Sequence, residues 1–266
     1  MQTVGGALAG LEIWEIGLIP SILTNAETWT NIDKNSIDIL EDLQNFMFRC
    51  LLGTPKSTPA CFILWDLGLL KMSNRIIEKK LNFFHHLLSL PEDTLAKQIL
   101  TSQIEHGHPG LFQEVQKFIS DLKLTNIIYE KVTSNVWKNQ VKQAIYLKNK
   151  NELILDMKKS KKVKEFISET FERKSYFNEL NLIEARLIFK KRAKMIQYVK
   201  MNFPSDPSFR KDLWQCSGCS TKMDTMSHVL WCSGYSNLRE NLDINCDKDL
   251  AKYLSEVLKI RSELKK

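Results

Sequence analysis

A chain of 266 residues, 43% apolar and 26% charged with a formal net charge of +7, has room for one large or two small domains and a substantial core. Its ordinary apolar fraction and many aromatics exclude a disordered chain. Ten glycines and seven prolines argue against a turn-dense β fold.

The N-terminal stretch, Met1 to Thr24, is apolar but has no basic lead-in and carries Glu12 and Glu15, so it does not read as a secretory signal. Val4 to Leu23 is about as long as a membrane span, but its two carboxylates and Pro20 oppose insertion into lipid. The chain contains no Asn-x-Ser/Thr acceptor. The expectation is an intracellular protein that does not enter a membrane.

Helical spacing then runs through the chain. Over 33–52, Ile37, Leu40, Leu43, Met47 and Cys50 recur every three or four residues, and Gly53 and Pro55 stop the helix. Ile76, Ile77, Leu81, Phe84 and Leu88 repeat the pattern over 72–90, which Pro91 closes. Further helices are predicted over 93–105, 111–122, 134–148, 151–172 and 176–200. No strand-like alternation persists. The expected fold is all-α: a helical body over 1–105, a basic helical region over 106–204, and a cysteine-rich segment with a C-terminal helix over 205–266. Pro204 and Pro207 force extended backbone in a boundary at 201–213. A softer boundary lies at 105–111, around His106-Gly-His-Pro-Gly110.

The positive charge is concentrated. Residues 148–200 hold 15 Lys/Arg against 7 Asp/Glu, while 1–147 hold 13 against 15. Two runs account for the excess: Lys158, Lys159, Lys161, Lys162 and Lys164, then Lys190, Lys191, Arg192 and Lys194. Such a stripe is the usual footprint of a phosphate-backbone partner. A solvated helix face, or a nuclear-import signal in the first run, is the plainer alternative.

The sharpest chemical signal is Cys216-Ser-Gly-Cys219 followed by His228 and Cys232, a C-x2-C-x8-H-x3-C spacing. Two cysteines three apart wrap a turn whose amides face the sulfurs, and Gly218 permits that turn. Asp224 caps a helix beginning at Thr225, on which His228 and Cys232, four apart, share a face. Four soft or borderline ligands suit tetrahedral Zn2+, and with all four supplied by protein the site is structural. Cys246, 14 residues past Cys232, is the alternative ligand and is ranked a spectator, and Cys50 and Cys61 belong to helix or core packing. A metal cluster in place of a disulfide framework suits a reducing compartment.

Other candidates read as packing or solvent-facing: His85 and His86 on an apolar helix, His106 and His108 in a turn. The chain contains no phosphate-cradling glycine loop, Gly-x-Ser-x-Gly elbow, His-Glu-x-x-His or Asp-Asp pair.

Ile19-Pro-Ser-Ile-Leu-Thr-Asn-Ala-Glu-Thr-Trp29 resembles the segment just after the palm of non-LTR retrotransposon reverse transcriptases, where a buried helix leads through a Glu-Thr-Trp turn into the helical thumb. Leu43-Gln-Asn-Phe-Met-Phe-Arg-Cys-Leu-Leu-Gly-Thr-Pro55 and Pro59 to Leu70, with Trp65-Asp-Leu-Gly68, are similar to the next stretch of that family. Cys216 to Cys232 and Asp247 to Arg261 resemble its C-terminal region. The resemblance implies a truncated thumb-plus-knuckle piece of an RNA-directed DNA polymerase, without the palm's paired aspartates, the fingers or a nuclease, and therefore not an enzyme by itself.

Three functions are expected in turn. The first is a non-catalytic module in which the basic runs and the knuckle hold RNA or DNA, in a nuclear setting. Trp214 and Trp231 are available to stack on bases, though Trp231, inside the ligand helix, is expected to pack. The second is a polymerase fragment that needs a palm in trans, with Val4 to Leu23 as its exposed apolar face. The third is a protein-interaction module stapled by zinc.

Overall fold

The computed structural model describes residues 6–124, 132–195, 216–221 and 225–263. The elements in order are α1 (Gly6–Glu12), a π-helical stretch (Ile13–Leu18), α2 (Ile19–Ile22), a 3-10 turn (Ala26–Thr28), α3 (Lys34–Leu52), α4 (Ala60–Leu67), α5 (Met72–Leu88), α6 (Leu95–His106), α7 (Leu111–Asp121), α8 (Ser134–Lys158), a 3-10 turn (Lys164–Ser168), α9 (Tyr176–Glu179), α10 (Leu182–Arg192), α11 (Met226–Trp231), a 3-10 turn (Ser233–Tyr235), α12 (Ser236–Arg239) and α13 (Asp247–Glu263). The fold is all-α, with no strand among the described residues. Among them, no helix is long and apolar enough to cross a membrane.

The chain divides into two compact units, one of Met1–Leu11, Arg49–Pro59 and Arg173–Lys266, the other of Glu12–Phe48 and Ala60–Glu172. The expected boundary at 201–213 lies outside the described residues. The turn at 107–110 falls within the second unit, where Gly107 ends α6 in the left-handed conformation (φ 64°).

In the second unit the core forms where α5, α6, α7 and α8 meet. Leu81, Phe84, Leu87, Leu100, Val115, Ile119, Trp137, Val141 and Ile145 are all buried in it. Trp137 Nε1 donates to the Leu81 carbonyl at 3.1 Å, so this buried indole keeps its hydrogen bond. His85 stacks on the Trp137 ring at 5.3 Å, and His86 is exposed. Stacking and exposure match their packing and solvent-facing assignments. From the middle of α8, Tyr146 packs on Phe171, which Trp65 of α4 also meets.

Helix α8 corrects the expectation of two helices over 134–148 and 151–172. It runs unbroken for 25 residues and buries Trp137, Val141, Ile145, Asn149, Leu153 and Met157, one residue every four. Asn149 interrupts the apolar stripe in sequence but not in space. Its Oδ1 accepts from the Lys71 amide at 2.8 Å and from Asn74 Nδ2 at 3.1 Å, and its Nδ2 donates to the Leu69 carbonyl at 3.3 Å. One side chain thus satisfies the orphan groups where α4 hands over to α5. Past Lys158 the helix stops, because continuing it would stack five lysines of 158–164 at like-charged i, i+3 and i+4 spacings. Asn149→Ala is expected to cost about 3 kcal/mol, since it strands several buried polar groups at once. A urea titration followed by circular dichroism checks this, with a lower midpoint at unchanged slope.

In the first unit α10 packs along α13. The helix predicted over 176–200 is broken at Leu180, where Asn181 opens α10 with a capping box. Asn181 Oδ1 accepts from the Ile183 and Glu184 amides, and Glu184 returns a carboxylate oxygen to the Asn181 amide. The remainder of that predicted helix, past Met195, lies outside the described residues. Asn181→Ala is expected to cost about 1 kcal/mol, read as a small drop in thermal midpoint.

Over the N-terminal segment the expected apolar face is divided. Leu11, Trp14, Ile19 and Leu23 are buried, whereas Ile13 is 63% and Ile16 77% exposed. Val4 lies outside the described residues.

Candidate metal centre

Two short turns build the site, both in the first unit. The first, Cys216 to Ser220, closes through the Ser220 amide on the Cys216 carbonyl at 2.7 Å. Its left-handed residue is Ser220 (φ 54°), not Gly218, so the reason for a glycine at 218 differs from the one expected. A Cβ there would lie 2.7–3.0 Å from the Tyr235 ring. Close approach of an aromatic face, rather than backbone conformation, excludes a side chain.

The second piece is α11. Its cap also differs from the expectation: the helix begins at Met226, and Thr225 is the N-cap. Thr225 Oγ1 accepts from the His228 amide at 3.2 Å. A threonine hydroxyl reaches the third helical amide from this position; Asp224 lies outside the described residues. His228 and Cys232 then come one turn apart.

The four predicted ligands converge. Cys216 Sγ and Cys232 Sγ are 3.6 Å apart, and Cys219 Sγ is 3.3 Å from His228 Nε2. All four ligand atoms lie within 4.8 Å of one another. A tetrahedral ion with metal–sulfur bonds of about 2.3 Å and metal–nitrogen bonds of about 2.0–2.1 Å requires separations of about 3.8 and 3.6 Å. The cluster therefore fits a metal ion. The Gly218 amide is 3.4 Å from Cys216 Sγ and the Thr221 hydroxyl 3.2 Å from Cys219 Sγ; such donors steady thiolates. Burial, reinforced by the Cys216 and Cys219 sulfurs, pushes the Cys232 thiol up to about 11. The neutral Cys232 thiol is thus favoured until a cation compensates it. Cys246 is exposed and outside the cluster. Cys50 is exposed on α3, and the Cys61 thiol is pushed up, chiefly by burial.

Two tyrosines dock the centre on α13. The Tyr253 hydroxyl lies 2.5 Å from the Val229 carbonyl of α11 and accepts from Arg239 at 3.2 Å. Tyr235, against Gly218, shares its hydroxyl with Ser217 at 3.0 Å and Arg261 Nε at 3.4 Å. Sequence reasoning did not single out these tyrosines. The helical spacing of Leu250, Tyr253, Leu254 and Val257 marks the buried face but not its partner.

Trp231 is the third correction at this site. Expected to pack, it is instead 70% exposed. Along α11 it is two residues past buried Val229, about 200° around the helix, so it shares the outer face with Ser227. Trp214 lies outside the described residues.

The basic runs divide between the units. Lys158, Lys159, Lys161, Lys162 and Lys164 are all exposed at and beyond the end of α8, with Lys159 paired to Asp156 at 2.9 Å. In the other run, Lys190, Lys191 and Arg192 are half-buried in the last turn of α10, where cations oppose the negative end of the helix dipole. Asp247 stands against Lys191 and Arg192; burial raises its carboxyl and these two cations pull it back. Lys194 is exposed and ends α10 in the left-handed conformation (φ 55°).

Set against models of known families, curated proteins and solved structures, the chain matches none.

Proposed function

We propose that this chain is a non-catalytic nucleic-acid-binding module, derived from the thumb and C-terminal knuckle of a non-LTR retrotransposon reverse transcriptase and acting in the nucleus on RNA or DNA. The cluster of Cys216, Cys219, His228 and Cys232 holds one structural Zn2+: three thiolates and an imidazole favour zinc over harder divalent ions, and a full protein ligand set leaves no position for reacting water. The chemistry of holding a strand then rests on side chains. Exposed lysines 158–164 contact phosphates without reading sequence, and Trp231 offers a ring to an unpaired base.

The observation that carries this reading is the exposure of Trp231 in a segment whose other large aromatics among the described residues, Tyr235 and Tyr253, are buried. A large ring left in water on a zinc-held helix is poor packing and a good stacking platform.

Fluorescence titration of the full chain with a single-stranded oligonucleotide tests it. Affinity is expected to fall steeply with salt, with a log–log slope of about −0.7 per phosphate neutralised. Trp231→Ala is expected to weaken binding by about 1–3 kcal/mol at unchanged thermal midpoint. A flat salt response, together with a silent Trp231→Ala, overturns the reading.

A second reading, a polymerase fragment completed by a palm in trans, draws on exposed Ile13 and Ile16. Co-purification with a co-expressed palm fragment, lost in an Ile13→Ser/Ile16→Ser double variant, would favour it.

A further inference from the structure

Helix α3 ends in a left-handed turn at Gly53 (φ 59°), closed by the Thr54 amide on the Arg49 carbonyl at 3.0 Å. Arg186 of α10 reaches this end from 135 residues away. Its Nε donates to the Leu51 carbonyl at 2.7 Å and one Nη to the Cys50 carbonyl at 3.4 Å. That satisfies two of the orphan carbonyls of α3 and neutralises the negative end of its dipole.

Lys190 is left over. It sits one turn further along α10, on the same face as Arg186. A Cβ built on Gly53 would lie 3.5 Å from Lys190 Nζ and 3.6 Å from Arg186 Nε. Both cationic groups therefore stand over the bare glycine. Among the described residues no carboxylate is paired with Lys190, whereas Asp247 stands against Lys191 and Arg192. Burial and the charge of Arg186 hold the Lys190 ammonium below its ordinary range. Like charges at i and i+4 are unfavourable by themselves. Two further polar groups of the same turn, Thr54 Oγ1 and Arg49 Nε, are buried without a hydrogen-bond partner. Two adjacent cations, unspent guanidinium donors and an idle hydroxyl around a side-chain-free turn together match a tetrahedral oxyanion.

We propose that Lys190 and Arg186, over the Gly53–Thr54 turn, form a binding site for one phosphate group of a nucleic-acid backbone. The assignment of that phosphate to nucleic acid rests on the function proposed above. Lys190 carries the surplus charge, with the Arg186 guanidinium beside it over Gly53. The site is a positioning contact: it fixes where a strand lies without reading sequence.

The test uses the full chain with its lysines reductively 13C-methylated, which preserves their charge, and assigns the Lys190 signal by its loss in Lys190→Met. Inorganic phosphate is expected to shift that signal and raise its titration midpoint, while chloride at the same ionic strength does not. With a single-stranded oligonucleotide, Lys190→Met is expected to bind several-fold more weakly and to lose about one phosphate's worth of salt slope. Lys190→Arg retains both. Thermal unfolding of Lys190→Met controls for folding, since methionine keeps the aliphatic stem. A Lys190 signal indifferent to phosphate, with unchanged slope in Lys190→Met, overturns the site and leaves the wider reading standing. A response to phosphate in a protein that binds no nucleic acid keeps an anion site but overturns its assignment to a backbone phosphate.

Discussion

Cys216→Ser and His228→Ala are each expected to release the metal and unfold the segment around 216–235. With zinc in the site, the binding free energy is about 10–16 kcal/mol at neutral pH, comparable to the stability of a whole domain. Among the described residues of 216–235, only Cys216, Val229, Cys232 and Tyr235 are buried, so little apolar burial accompanies the metal there. Mass spectrometry under native conditions should show one zinc per chain in the wild type and none in either variant. Near-ultraviolet circular dichroism should lose the signal of Tyr235 and Tyr253 as they undock. A variant that keeps its metal, or loses it with no change around the tyrosines, contradicts this account. Acid has a defined sign here. Bound thiols are ionised far below the usual value of about 8.5, so their folded-state pKa is depressed. The stability they supply is present above the unfolded value and is lost as pH falls through the bound one. Loading the metal-free protein near pH 7 should release protons, because cysteines ligate as thiolates and burial keeps the Cys232 thiol protonated until a cation arrives.

The second large effect is at Gly234. A Cβ there would fall 2.0 Å from the Gly218 carbonyl oxygen and 2.2 Å from its carbon. Backbone meets backbone, so no rotamer change relieves the clash. Gly234→Ala must part the two turns that carry Cys216, Cys219 and Cys232. We expect a loss of about 4 kcal/mol, read as weaker zinc retention against a chromophoric chelator and a lower thermal midpoint. Gly17→Ala is the control. A Cβ there meets nothing within 4 Å, and alanine in a helical segment is expected to gain about 0.4–1 kcal/mol.

The parts legible from the sequence are those with a periodic or chemical signature. The helices over 34–52, 72–88, 95–106 and 111–121 come from apolar spacing closed by glycine or proline, or from a Gly/Pro turn. The metal group is legible because few other arrangements place three cysteines and a histidine so close in sequence. The features that escape depend on partners distant in sequence. Asn149 looks like a break in the apolar pattern because its three backbone and side-chain partners lie near residue 70. The capping box at Asn181 and Glu184 is readable as a four-residue pattern but sits inside a longer apolar run. Two helix ends, after α7 and α10, are closed by lysines in the left-handed conformation, Lys123 and Lys194, where glycine would have signalled the stop. Its place inside the ligand helix assigns Trp231 to packing. In the structure Trp231 lies on the opposite side of α11 from buried Val229 and is exposed.

The interleaving of the two units sets an order of assembly on the ribosome. Everything in Glu12–Phe48 and Ala60–Glu172 has been synthesised before α10 emerges, so that unit can close while translation continues. The stretch Arg49–Pro59 must wait: Arg186, which closes the carbonyls at Cys50 and Leu51, arrives 135 residues later, a delay of about 10 s at ordinary elongation rates. Until then the end of α3 stays open to water, and a released fragment ending at residue 180 should be cut by protease at 49–59 while the core around Trp137 resists.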